Sequence, residues 1–193
     1  MNKIINQIKE IFDPYYSAPI EVWDTFAKRL KTANFKKNEE IKFPNTTEKK
    51  LYIINKGSAG IFLWNENHPI CVDLCFENDF FGDYLSLLTQ KPTPLYTVCF
   101  EETEMFYITY SALMDLYENS KIGAKIGRIA AESLFIHKQA QQIELLTKTA
   151  EQRYRQLLDK QPRIIQRVPL KHIASYLGIN AESLSRIRKK IVK

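Results

Sequence analysis

The segment from Leu170 to Lys189 constrains the chain most, because its apolar, small and turn-forming residues follow a single spacing rule. Apolar side chains fall at Leu170, Ile173, Leu177, Ile179, Leu184 and Ile187, with Ala174 and Gly178 at the tight positions. Two helices crossing at a steep angle must touch where Ala174 sits, and a larger side chain would force them apart. The turn after the first helix needs left-handed backbone, which Gly178 adopts without strain. Asn180 is a ready N-cap for the second helix. The spacing therefore predicts a helix, a tight turn and a second helix around a small core of Ile173, Leu177, Leu184 and Ile187.

Charge gives this element a direction. Residues 151–193 hold 11 Lys and Arg against 3 Asp and Glu, whereas residues 1–150 hold 17 against 19, so a +8 end follows a −2 body. A basic end on a near-neutral body is the footprint of a polyanion partner. The second helix carries Glu182, Ser183, Ser185, Arg186, Arg188, Lys189 and Lys190, a polar and basic face of the kind that enters a major groove. A helical hairpin serving only protein contacts is the competing reading.

Upstream, three textures succeed one another. The first 34 residues read as helices, with Ile4, Ile5, Ile8 and Ile11, then Val22, Phe26 and Leu30, at helical spacing. From residue 35 to about 108 come short apolar or alternating stretches at 41–43, 51–54, 59–64, 70–76, 96–100 and 104–108, punctuated by turn-rich clusters. Such punctuation predicts an antiparallel sandwich or roll. Within it, residues 80–88 read as a turn and a short helix with Asp83 near its positive end. From Tyr110 the pattern is helical again. Ile122, Ile126, Ile129, Ser133, Ile136, Ala140, Ile143, Thr147 and Ala150 step alternately by four and three, a heptad seam suited to a second copy of the chain. The competing reading packs this helix on its own sheet. The expected division is a β-roll with N-terminal helices over 1–115, a dimerisation helix over 116–149 and a helix-turn-helix over 150–193.

The remaining composition narrows the function classes. No stretch has the roughly 18 apolar residues of a membrane span, and the N-terminus does not read as a signal peptide, so a cytoplasmic protein is expected. Cys71, Cys75 and Cys99 all lie in apolar segments and read as buried thiols, the first two on one strand face by their even spacing. No histidine is spaced with them for a metal, and the roll holds only His68, so no metal site is expected. Neither an activated nucleophile nor a carboxylate pair is evident, and the chain does not read as an enzyme.

With these residues in view, the chain resembles the Crp/Fnr family, the relatives of catabolite activator protein, over nearly its whole length. The resemblance rests on Tyr52-Ile53-Ile54-Asn55-Lys56-Gly57, on Phe81-Gly82-Asp83, on the long helix and on residues 168–190, best at Ile173-Ala174-Ser175-Tyr176-Leu177-Gly178-Ile179 and Glu182-Ser183-Leu184-Ser185-Arg186-Ile187. It implies an α+β chain with a cyclic-nucleotide-binding-type β-roll, a dimerisation helix and a winged helix-turn-helix, the wing falling around residues 161–167. It also implies a homodimer on a palindromic DNA operator, with RNA polymerase as a further partner. Glu182 and Arg186 match the family positions that read base edges, and Asn180, Ser183, Ser185, Arg188, Lys189 and Lys190 surround them. A guanidinium donates twice to guanine, and a carboxylate accepts from cytosine.

In members that bind cyclic AMP, a Gly-Glu pair and an Arg some ten residues on hold ribose and phosphate. Here the pocket positions are Gly82, Asp83 and Thr93, and no arginine lies between Arg29 and Arg128. Lys91 is the nearest cation in sequence, and it lacks the fork that grips a phosphate. The expected effector is therefore something other than cyclic AMP. The cofactor is left open, with His68 and His137 the histidines to weigh as haem ligands. A ligand-binding module acting through protein partners is the alternative function.

Overall fold

The computed structural model describes residues 2–13, 16–65, 68–120 and 123–191. Helices α1 (Asn2–Phe12) and α2 (Ile20–Ala27) lead into β1 (Lys31–Phe35), β2 (Glu40–Lys42), β3 (Lys50–Lys56), β4 (Ala59–Leu63), β5 (Ile70–Cys75) and β6 (Phe80–Phe81). Helix α3 (Tyr84–Thr89) precedes β7 (Leu95–Cys99) and β8 (Thr103–Thr109). Then follow α4 (Tyr110–Asn119), α5 (Gly123–Thr147), α6 (Ala150–Lys160), α7 (Ile164–Arg167), α8 (Leu170–Tyr176) and α9 (Ala181–Ile191).

The strands form two antiparallel four-stranded sheets, ordered β1-β8-β3-β6 and β2-β7-β4-β5. Strand alternation sorts their side chains into three layers. Tyr52, Ile54, Phe81 and Met105 of the first sheet meet Ala59, Ile61, Cys75 and Cys99 of the second inside the roll. Ile53 and Ile108 point the other way and bury against Ile8, Phe12, Trp23, Phe26, Leu113 and Leu116 of the helices. On the outer face of the second sheet, Phe62, Cys71, Leu74 and Tyr96 join one apolar cluster with Tyr154, Ile164, Ile173, Leu177 and Leu184 of the C-terminal helices. The helix-turn-helix thus sits directly on the roll.

Several sequence expectations change here for physical reasons. Residues 31–34, read as the end of the helical region, belong to β1, because pairing with β8 overrides a segment with little periodicity of its own. The expected wing at residues 161–167 is the helical turn α7, and among the described residues no strand follows β8. Ile164 is drawn into the core, and Arg167 is held by Glu77 and Glu101 at 2.7 and 2.8 Å. Cys71 and Cys75 do not share a face. The register of β4 on β5 slips between Ile61 and Phe62, and such a bulge turns following side chains over. Cys71 therefore lies in the outer cluster and Cys75 inside the roll. All three thiols are buried and reduced, and burial pushes the Cys75 thiol well up.

The long helix does not run through residue 116. It begins at Gly123, where an added Cβ would lie 1.8 Å from the Leu116 carbonyl oxygen, so only glycine fits at the start of α5 against the end of α4. Among the described residues no helix is long and apolar enough to cross a membrane.

Candidate nucleic-acid interface and effector corner

The helix-turn-helix is built from its local chemistry upward. Gly178, at φ +67°, ends α8 with its N–H donating to Ser175 O (3.0 Å), while Ile179 N–H donates to Ala174 O (3.0 Å). These are the two bonds of a Schellman turn. Asn180 Oδ1 accepts from Ser183 N–H at 2.8 Å and caps α9. Leu184 is buried against Ile173 and Leu177, which fixes which side of α9 faces out.

That outward side carries Glu182, Ser185, Arg186 and Lys189, all exposed, at i, i+3, i+4 and i+7. One stripe of a helix therefore presents an acid, a hydroxyl and two cations. The other expected residues are placed differently. Ser183 lies half-buried and accepts from Arg186 at 3.1 Å. Arg188 is half-buried, its charge close enough to the Tyr154 phenol to be felt there, and Lys190 pairs with Glu151 at 2.7 Å, so both are turned toward α6. Arg153 locks the unit to the long helix by donating to Leu177 O (2.6 Å) and Leu145 O (3.3 Å).

The heptad seam divides along α5. Ile122 lies outside the described residues. Ile126 is buried in the chain's own helical core, and Ile129 and Ser133 are half-covered. Beyond them Ile136 (67% exposed), Ala140 and Ile143 face outward, next to exposed Phe135 and Leu146.

The structure brings Gly82, Asp83 and Thr93 together at one corner of the roll. Asp83 is 1% exposed, and its Oδ1 accepts from Ser86 N–H (3.0 Å) to cap α3. Thr93 donates its hydroxyl to Asp83 Oδ2. The cation at this corner is Lys42, 4% exposed, with Nζ 3.1 Å from Asp83 Oδ2. Sequence reasoning missed it and weighed Lys91 instead. Lys42 sits between Ile41 and Phe43 in a pattern that predicts an exposed polar side chain, while Phe43 is the residue left in solvent. Behind the corner, Glu48 accepts from Lys49 and Lys50 N–H, and burial raises its carboxyl above the ordinary range. Arginine is absent from this corner, so a cyclic phosphate meets no guanidinium fork. His137 and His68 are both exposed, and among the described residues no cluster of His, Cys, Asp and Glu suits a metal ion.

Residues 32–120 match the family model of the cyclic nucleotide-binding domain. No curated protein matches the sequence significantly. Among solved structures, the c-di-GMP responsive global regulator CLP of Xanthomonas campestris is similar at 15% identity and a TM-score of 0.69, over 90% of this chain and 91% of that one. FixK2 of Bradyrhizobium japonicum is similar at 19% identity and a TM-score of 0.70, over 84% of each chain. The catabolite activator protein of Thermus thermophilus is similar at 18% identity and a TM-score of 0.58, over 94% of this chain and 86% of that one. The chain thus has the fold of the Crp/Fnr-type regulators, a cyclic-nucleotide-binding-type β-roll joined by a long helix to a C-terminal helix-turn-helix.

Proposed function

We propose that the protein is a homodimeric, sequence-specific DNA-binding transcription regulator whose roll responds to an effector other than cyclic AMP. The observation that carries this reading is the exposed stripe Glu182, Ser185, Arg186 and Lys189 on a capped helix whose opposite face is buried. Arg186 donates to a guanine edge, Glu182 accepts from cytosine, and Ser185 and Lys189 hold phosphates. Asn180, at the cap of the helix, stands with them at the DNA.

A second copy of the chain covers the outward part of the seam at Ile136, Ala140 and Ile143. Twofold symmetry then sets two recognition helices about 34 Å apart, one turn of a duplex, which demands a palindromic operator. The proposed site of action is the cytoplasm, where such a regulator meets DNA and RNA polymerase. No catalytic role is proposed.

Selection from a pool of random duplexes tests the reading. Recovered sequences are expected to converge on an inverted repeat with half-sites one helical turn apart. Recovery of unrelated sequences at background level would overturn it.

A further inference from the structure

The Lys42 ammonium has three hydrogens to place. It donates to Leu95 O at 2.7 Å and to Thr93 Oγ1 at 3.2 Å, and it lies 3.1 Å from Asp83 Oδ2. Thr93 Oγ1 gives its own hydrogen to Asp83 and accepts in addition from Leu95 N–H at 3.3 Å. Asp83 keeps its second oxygen on Ser86 N–H. Both ions are almost fully buried, and each is matched by a partner of opposite charge and by neutral groups, as a buried pair requires.

The same corner stitches two distant stretches together. Lys42 N–H donates to Thr97 Oγ1 (3.1 Å), Asn45 N–H to Thr93 O (2.8 Å) and Glu48 N–H to Ser86 Oγ (2.9 Å). Residues 42–48 are thereby fastened to α3 and the start of β7. An anion entering here would find the cation committed and the Asp83 carboxylate facing it.

We propose that Lys42 is a built-in cation that fills the Gly82–Asp83–Thr93 corner, closing it to cyclic nucleotides and fixing α3 without a ligand. This deepens the proposed function: an effector of the roll must bind elsewhere than at this corner. It also sorts residues by role. Asp83 and Thr93 belong to a closed internal network, and Lys42 sets the specificity by exclusion.

The test is made on the roll within the full-length protein, without DNA, so that its outcome is independent of the DNA-binding reading. Calorimetric titration of the wild type with cyclic AMP and with cyclic GMP is expected to show no saturable heat. In ¹⁵N NMR at neutral pH the Lys42 ammonium is expected to give a signal protected from exchange with water. Lys42→Met and Asp83→Asn are each expected to lower the melting temperature, and the double variant to lose less than the sum of the two. Micromolar binding of either nucleotide by the wild type would overturn the proposal. So would a rapidly exchanging Lys42 ammonium, or strictly additive losses in the two variants.

Discussion

The imidazole of His172 stacks on the ring of Phe100, with centroids 5.5 Å apart and planes inclined by 26°. A residue of the first helix of the helix-turn-helix thereby rests on the roll. Phe62 meets the imidazole edge-on at 4.8 Å, and Gly60 makes room, since a Cβ there would stand 2.4 Å from Phe100. Ser175 adds a polar contact by accepting from Cys71 N–H at 2.9 Å. The orientation of α8, and through it of α9, is set by the outer sheet of the roll.

This contact has a pH signature. Burial, aided by the neighbouring Lys171 charge, pushes His172 down from 6.5 to about 4. Its neutral contact stabilises the fold fully above pH 6.5 and is lost as pH falls toward 4, because the unfolded chain takes up the proton first. Asp79 acts oppositely, since burial pushes it up to about 6 and its protonation favours the fold on acidification. The comparison therefore needs His172→Gln, in which the Asp79 effect cancels. Between pH 7 and 4.5 the wild type is expected to lose about 1 kcal/mol more than the variant, allowing for the partial exposure of the ring. Equal losses in a denaturant titration would reject this role.

Arg167 makes the second tie between the units. Its guanidinium donates to Glu77 through two nitrogens at 2.7 and 2.9 Å and to Glu101 at 2.9 Å, and it holds the Glu77 carboxyl below the usual range. Arg167→Met is expected to cost about 1–2 kcal/mol of stability. Hydrogen exchange should rise in α7 and α8 rather than in α1. Protection unchanged in α8 would show that the apolar cluster holds the units unaided.

Gly178 carries the turn. At φ +67° an alanine is strained although its Cβ has room, the nearest atom being Leu145 Cδ1 at 3.6 Å. Gly178→Ala should therefore cost about 1–2 kcal/mol from backbone strain alone. Thermal melting reads the loss, and a neutral substitution would contradict the left-handed turn.

On the exposed face of α9, Arg186→Ala should weaken specific binding by about 1–3 kcal/mol and relax preference at one base pair. Lys189→Ala should weaken binding evenly across sequences and reduce the salt slope by about 1. Competition with single-base-pair variants of the selected duplex separates the two behaviours.

For the long helix, Ile143→Asp places a charge on the outward seam. Light scattering is expected to show dissociation to monomers with the melting of the roll unchanged. A variant that stays dimeric would move the interface elsewhere.

Much of this molecule was legible because its signals are local. The strands at 51–54, 59–64 and 104–108 are short apolar runs bounded by turn residues, and the cap at Asn180 and the turn at Gly178 depend on neighbours within a few residues. What escaped depends on distant partners. β1 exists because β8 is beside it, and α7 takes its shape while Arg167 reaches back some 90 residues to Glu77. A single bulge separates Cys71 from Cys75, and spacing alone does not disclose a bulge. Lys42 was hidden for the same reason: nothing adjacent to it in sequence announces that Asp83 and Thr93 will enclose it.

The most direct test of the account is the binding of a labelled duplex containing the selected inverted repeat, measured by anisotropy at increasing salt. Two chains per duplex are expected, with affinity falling roughly a thousandfold or more between about 50 and 200 mM salt as six or more phosphates release their counterions. A chain that remains monomeric and leaves the duplex free at the lowest salt would contradict it.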